Sequence, residues 1–170
     1  MSKLPHLQTT IFTVMSKMAV DFNAINLSQG FPNFPIDEKM VEIIKRLAGS
    51  DVHQYMPTAG YPPLMEKITK LTAQSYQRTI NPLTELLITA GATEAIFATI
   101  QALVHSGDEV LILDPSYDCY ETPILLSNAK PVRVSLNEDY SPNFEKIAHH
   151  ISSKTKLLIL NNPHNTSGKM

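Results

Sequence analysis

Two runs, Val110-Leu111-Ile112-Leu113 and Leu157-Leu158-Ile159-Leu160, constrain this chain more than any other feature. Each is apolar throughout instead of alternating, the pattern of a strand covered on both faces. They sit in a regular succession that predicts strand (85–89), helix (92–105), strand (109–113), helix (117–127), strand (131–135), helix (143–151) and strand (156–160). Strands alternating with helices imply an α/β sandwich with a parallel or mixed sheet. In open sheets of that kind ligands bind beyond the carboxyl ends of the strands, which singles out three stretches.

The first is Leu86-Leu87-Ile88-Thr89-Ala90-Gly91-Ala92-Thr93-Glu94-Ala95-Ile96. It reads as a buried strand, a tight turn and a helix start. The first N–H groups of a helix lack intrahelical partners and carry the positive end of its dipole, so Gly91, Ala92 and the Thr93 hydroxyl make a candidate phosphate cradle. The alternative is an ordinary strand-to-helix turn, where small residues are common. The second stretch, Asp114-Pro115-Ser116-Tyr117-Asp118-Cys119-Tyr120, offers Tyr117 either as a stacking face for a flat ring or as a core tyrosine under the turn. The third, Asn161-Asn162-Pro163-His164-Asn165, offers Asn165 as an amide donor to a ring oxygen or as a turn former. Neither a dinucleotide fingerprint nor a Walker loop occurs. His149 and His150 are adjacent and lack metal-ligand spacing to Cys119 or His164, so they read as surface residues and no metal site is expected.

Ahead of this region, residues 8–23 place Ile11, Phe12, Met15, Met18, Ala19 and Phe22 mostly on one helical face, which predicts a docking helix. Ile25–Leu27 is expected to be extended. In Ser28-Gln29-Gly30-Phe31-Pro32-Asn33-Phe34-Pro35 two prolines and a glycine forbid regular structure, and such a loop needs a reason to be ordered. Asp37 is expected to cap a helix that buries Met40, Val41, Ile43, Ile44 and Leu47 and stops at Gly49. After a second rigid loop, His53 to Pro63, Pro62 and Pro63 start a helix expected to bury Leu64, Ile68, Leu71 and Tyr76.

Composition narrows the function. With 170 residues, 43% of them hydrophobic and 18% charged, the chain has a globular balance. A net charge of −2 with no basic block gives no electrostatic case for nucleic acid or an anionic membrane, and a small ligand is expected. The apolar runs are too short for a membrane span, and no signal-peptide core follows Met1-Ser2-Lys3-Leu4-Pro5-His6. One cysteine, Cys119, forms no internal disulfide, which agrees with a reducing, cytoplasmic setting and leaves the triplets at Asn26 and Asn165 without meaning as glycosylation sites.

Taken together, these motifs resemble the fold-type I, class I/II aminotransferases that use pyridoxal phosphate, in particular their methionine and kynurenine/glutamine transaminase branch. The resemblance rests on Ser28-Gln29-Gly30-Phe31-Pro32-Asn33-Phe34-Pro35, Gln54-Tyr55 with Gly60-Tyr61-Pro62-Pro63-Leu64, Gly91-Ala92-Thr93-Glu94-Ala95, Gly107-Asp108-Glu109-Val110, Pro115-Ser116-Tyr117-Asp118-Cys119-Tyr120, and Asn162-Pro163-His164-Asn165 with Gly168-Lys169. Their order and spacing span nearly the whole chain.

The resemblance implies a three-layer α/β sandwich with a mixed, mostly parallel sheet. Residues 1–50 would belong with a small domain and a dimer interface, and residues 51–170 with the first part of the cofactor-binding large domain. It implies that Gly91, Ala92 and Thr93 hold the cofactor phosphate, Tyr117 stacks on the pyridine ring and Asn165 bonds the ring hydroxyl oxygen. Gly30 would line the substrate carboxylate pocket, and Tyr55 would cross a homodimer interface to the neighbouring phosphate. Amino acid and 2-oxo acid are the implied substrates. The family's proline after the ring-binding asparagine is Thr166 here, so an altered loop backbone is expected. The lysine that bonds the cofactor, the aspartate at the ring nitrogen and the arginines for phosphate and substrate carboxylate find no match in these residues. Lys169 belongs to the asparagine motif, so the 170 residues alone are expected to be inactive. The same residues would suit a carbon–sulfur β-lyase on this fold, and a third reading is a non-catalytic remnant or interaction module that keeps only the sheet.

Overall fold

The computed structural model describes residues 3–7, 9–30 and 32–170. Gln8, within the first expected helix, and Phe31 of the Gly30 loop lie outside the described residues. Among the described residues nine elements follow in order: α1 (Ile11–Asp21), α2 (Glu38–Ala48), α3 (Pro62–Tyr76), α4 (Ala92–Leu103), β1 (Glu109–Asp114), α5 (Glu121–Leu126), β2 (Lys130–Ser135), α6 (Phe144–His150) and β3 (Thr155–Ile159). Contacts divide the chain into two units, Thr9–Thr89 and the remainder, which holds Ala90–Met170.

The Ala90–Met170 unit is built on a three-stranded parallel sheet in the order β2-β1-β3. Strand side chains alternate between faces, and β1 has helices on both. Val110 and Ile112 pack with Ile100 and Val104 of α4, Tyr120, Ile124 of α5 and Ala129. Leu111 and Leu113 pack with Val134 and Ile147 of α6. All four middle residues of β1 are buried, which is why this run carries no polar residue. The result is a helix–sheet–helix stack, the α/β architecture expected of the sequence.

The second apolar run behaves differently. β3 is paired only with β1 among the described strands, and it alternates between half-buried and exposed positions. Leu157 and Ile159 pack on the α4/α5 side. Leu158, in register with Leu111 on the opposite face, is exposed, so the expected cover on both faces reaches only one here.

Residues 85–89, expected as a strand, form none. A strand is defined by its ladder, and here the Ile88 N–H is spent on the Ala59 carbonyl (2.9 Å) in the Thr9–Thr89 unit. The expected helix at 117 starts at Glu121, because Tyr120 N–H turns back to the Tyr117 carbonyl (3.4 Å) and makes a tight turn first.

In the Thr9–Thr89 unit the predicted caps are in place. Asp37 accepts from Lys39 N–H (2.9 Å), Gly49 closes α2, and Pro62 and Pro63 open α3. The expected burial is not. Met40, Ile43, Ile44 and Leu47 of α2 are exposed, α1 has no buried residue, and in α3 only Met65 is buried whereas Leu64, Leu71 and Tyr76 are exposed. Gly60 closes the turn before α3 at φ +130°, and a Cβ there would collide with the Ile88 side chain.

These placements predict unequal mutational costs. Ile112→Ala removes a fully buried side chain and is expected to cost about 2–5 kcal/mol in urea unfolding. Ile44→Ala, on the open face of α2, is expected to stay within about 0.5 kcal/mol. Gly60→Ala forces both a clash and an unfavourable φ, for about 1–3 kcal/mol.

Candidate functional site

Strand order makes the site. The crossover β1-α5-β2 places Ile124 on the Val110/Ile112 face, and β2-α6-β3 places Ile147 on the Leu111/Leu113 face. The chain thus leaves β1 in one direction and returns past it on the other face to form β3. Adjacent parallel strands whose crossovers lie on opposite faces splay their following loops and leave a crevice at their carboxyl ends, the topological switch point of open α/β sheets. The loop after β1 carries Tyr117, and the loop after β3 carries Asn165.

The turn into α4 reaches the first of these loops. Gly91 is the N-cap at φ +89°, with no side-chain cap and open space where a Cβ would stand. The first bond of α4 runs from Ala95 N–H to the Gly91 carbonyl (3.4 Å), so the helix itself supplies no acceptor for the N–H groups of Ala92 and Thr93. The Glu94 carboxylate folds back and accepts from the Ala90 N–H, bracing the turn from its own first helical turn. The Thr93 side chain lies beside the Cys119 thiol and offsets a little of the rise in its pKa, which brings the turn next to the Tyr117 loop.

Tyr117 is half-buried against the α4/α5 core. Its ring meets Tyr120 edge to face, with centroids 6.1 Å apart and planes at 85°. One side of Tyr117 packs on the core, as the core reading expects, and part of it is at the surface. Burial, and next the charge of Asp118, raise the Cys119 thiol pKa. Burial likewise raises that of Tyr120.

Asn165 is exposed, and its N–H donates to Asn161 Oδ1 (2.5 Å). The loop closes on itself through His164 N–H to the Lys169 carbonyl (2.8 Å) and Gly168 N–H to the His164 carbonyl (2.8 Å). His164 Nδ1 and Ser167 Oγ are hydrogen-bonded at 2.9 Å. Lys169 Nζ donates to Asp139 (2.8 Å), and with Ser141 it holds that carboxyl far below the usual range. The cis peptides among the described residues are Asp114–Pro115 and Asn162–Pro163, so the backbone at Thr166 is not of that kind.

Gly30 and Tyr55 belong to the Thr9–Thr89 unit. The loop leading to Gly30 is ordered by a polar chain: Ser16 Oγ donates to Gln29 Oε1 (3.0 Å), Asn26 Nδ2 donates to Ser16 Oγ (3.1 Å), and Ser28 donates to Asn26 Oδ1 (2.7 Å). Tyr55 is fully exposed. His149 and His150 lie exposed on α6 as expected, and no metal-holding cluster occurs among the described residues. No helix among them is long and apolar enough to cross a membrane. Ser16 and Asn26, which order the loop leading to Gly30, carry no motif of their own, and the bracing role of Glu94, though it stands inside the Gly91–Ala95 motif, could not be read from its sequence.

The chain matches the family Aminotransferase class I and II over residues 23–170. It is 42% identical to the methionine aminotransferase of Escherichia coli (strain K12) over 98% of its length and 43% of that protein's. It is 34% identical to the kynurenine–oxoglutarate transaminase of Dictyostelium discoideum, over 95% of this chain and 41% of the relative. A solved Escherichia coli structure with an identified methionine aminotransferase function superposes with a TM-score of 0.91 at 42% identity, over 98% of this chain and 44% of that one. The chain thus spans about two-fifths of the length of the curated relatives it matches.

The thiol offers a check on this geometry. With its pKa raised, Cys119 is expected to alkylate slowly at neutral pH and faster as pH climbs above the ordinary thiol range. Asp118→Asn removes a repelling charge, so it should lower the thiol pKa and speed iodoacetamide alkylation at pH 7.

Proposed function

This chain belongs to the aminotransferase class I and II family, and from that premise we propose that the protein moves the amino group of a methionine-like, aromatic or kynurenine-like amino acid to a 2-oxo acid with pyridoxal phosphate. The observation that carries the reading is the position of Thr93 beside Cys119, which sets a helix start with no side-chain cap against the Tyr117-bearing loop of a switch point. A cofactor with a phosphate at one end and a flat ring at the other suits that pairing. The open space beside Gly91, where any side chain would intrude, suits it further.

When bound, the cofactor supplies a carbonyl that takes up the amino group and a ring that withdraws electrons from the carbon losing its proton. The roles of the chain's own residues are anchoring and orientation. The backbone N–H groups of Ala92 and Thr93, with the Thr93 hydroxyl and the approach allowed by Gly91, bind the phosphate at the positive end of α4. Tyr117 stacks on the ring, its own plane held by Tyr120. Asn165 donates its side-chain amide to the ring hydroxyl oxygen from a loop closed by backbone bonds. Gly30 lines the substrate carboxylate pocket through its backbone. Tyr55 reaches the phosphate of a second copy, making the protein a homodimer, and its full exposure leaves it available for that contact. The exposed apolar residues of α1 and α2 support burial against further protein surface. Lys169 is engaged with Asp139 and serves the asparagine loop. A free Cys119 fits a reducing compartment, and the cytoplasm is the proposed location.

Two measurements test this. In the protein carrying these residues, methionine, phenylalanine and kynurenine are offered with a 2-oxo acid, and failure of all three to donate would overturn the reading. A polypeptide of the 170 residues alone is expected to give no turnover, for want of the lysine. It should still bind pyridoxal phosphate and inorganic phosphate at roughly millimolar strength by NMR titration. Thr93→Ala should weaken both ligands by about 1 kcal/mol. Tyr117→Ala should weaken only pyridoxal phosphate, and equal losses for the two ligands would remove the stacking role.

A further inference from the structure

Arg133 lies on β2 between Val132 and Val134, which face α6, so it is on the α5 side of the sheet. A charged residue on an edge strand is commonly a solvated one. This one has its planar fork occupied at both prongs. Nη1 donates to Asp114 Oδ1 (2.8 Å) and Nη2 to Glu121 Oε2 (2.8 Å). Asp114 is the last residue of β1, and Glu121 is the first of α5. The segment between them is the loop that carries Tyr117 and Cys119.

The contrast with the other end of the same strands is instructive. There Lys130 pairs with Glu109, its direct register partner, in an ordinary cross-strand contact. Asp114 is in register with Ser135, so Arg133 reaches diagonally to it and then across to a second element. We propose that Arg133 is a positioning residue for the ring-binding loop: its guanidinium ties the two ends of residues 115–120 together and thereby holds Tyr117 in place. The tie itself stands on these contacts alone, whereas its consequence for the cofactor rests on the function proposed above. Lysine is no substitute, because a single ammonium lacks the rigid fork that meets two carboxylates at once.

Cys119 is the only cysteine and lies half-buried inside the loop, so its alkylation rate reports loop opening without any cofactor. Removing a positive charge would by itself raise the thiol pKa and slow the reaction, so an acceleration reads opening. Iodoacetamide alkylation at pH 8 is expected to rise about threefold in Arg133→Ala, the scale of losing a partly exposed ion-pair network. Glu121→Ala should show a smaller rise, and Arg133→Lys should fall between wild type and Arg133→Ala. Affinity for pyridoxal phosphate should fall by a similar factor while that for inorganic phosphate stays unchanged. Wild-type alkylation rates in both Arg133→Ala and Glu121→Ala would overturn the proposal, as would equal losses for the two ligands. Should Arg133→Ala lose its far-ultraviolet circular dichroism, Glu121→Ala and Arg133→Lys decide by the same rates. A wild-type protein that binds no pyridoxal phosphate would defeat the aminotransferase reading, while the alkylation arm would still decide the tie.

Discussion

The Ala90–Met170 unit depends on the burial of β1 from two sides at once. Val110 and Ile112 anchor one helix layer and Leu111 and Leu113 the other, each side chain contributing roughly 1.5–3 kcal/mol when removed from water. A central strand with two greasy faces obliges its crossovers to use both. α5 covers one face on the way to β2, and α6 the other on the way to β3. The topological switch point at the carboxyl ends of β1 and β3 is therefore a by-product of the same packing that stabilises the sheet. What the sequence must add is chemistry at the loops that open onto it.

That division explains what could be read beforehand. Elements fixed by local pattern were legible: the run at 110–113, the caps at Asp37 and Gly49, the prolines opening α3 and the helix start at Ala92. Residues 86–89 have equal apolar character but form no strand, because pairing is a property of neighbours that the run does not encode. The same reason leaves β3 covered on one face only. The candidate site residues in turns and loops, Gly91, Thr93, Tyr117 and Asn165, could be named from spacing and resemblance. The Arg133 fork, the Ser16–Asn26–Gln29 chain and the approach of Thr93 to Cys119 could not, since each brings together side chains more than nine positions apart without any pattern that announces them.

Helices in the Thr9–Thr89 unit follow another rule. α1 and α2 have caps and amphipathic sequences, yet neither buries a side chain within the described residues. Short helices in water gain most of their stability from packing an apolar face, so capping alone leaves them marginal. Phe22, Ile25 and Leu27 are more than three-quarters exposed, at 77%, 86% and 89%, and stand together along an open groove of about 440 Å³. A contiguous apolar surface of this kind is costly to keep in water.

Thr166 stands where the resemblance would place a proline, and the loop around it is closed by other means. Proline would restrict the backbone by fixing φ and withdrawing a donor. Here restriction comes from outside that position. The His164–Lys169 and Gly168–His164 backbone bonds close the loop across it, Asn161 holds the Asn165 N–H, and Lys169 ties the far end to Asp139. None of these uses the Thr166 side chain. The asparagine is thus set between two pinned points, and the identity of residue 166 affects the loop only through the conformations it allows between them. A constraint that a single proline imposes covalently is distributed here over several hydrogen bonds, each of which water can compete for. Asn165 is therefore held in its loop by bonds that open more readily than a covalent ring would, so this loop is expected to yield to local opening more easily than one stiffened by proline.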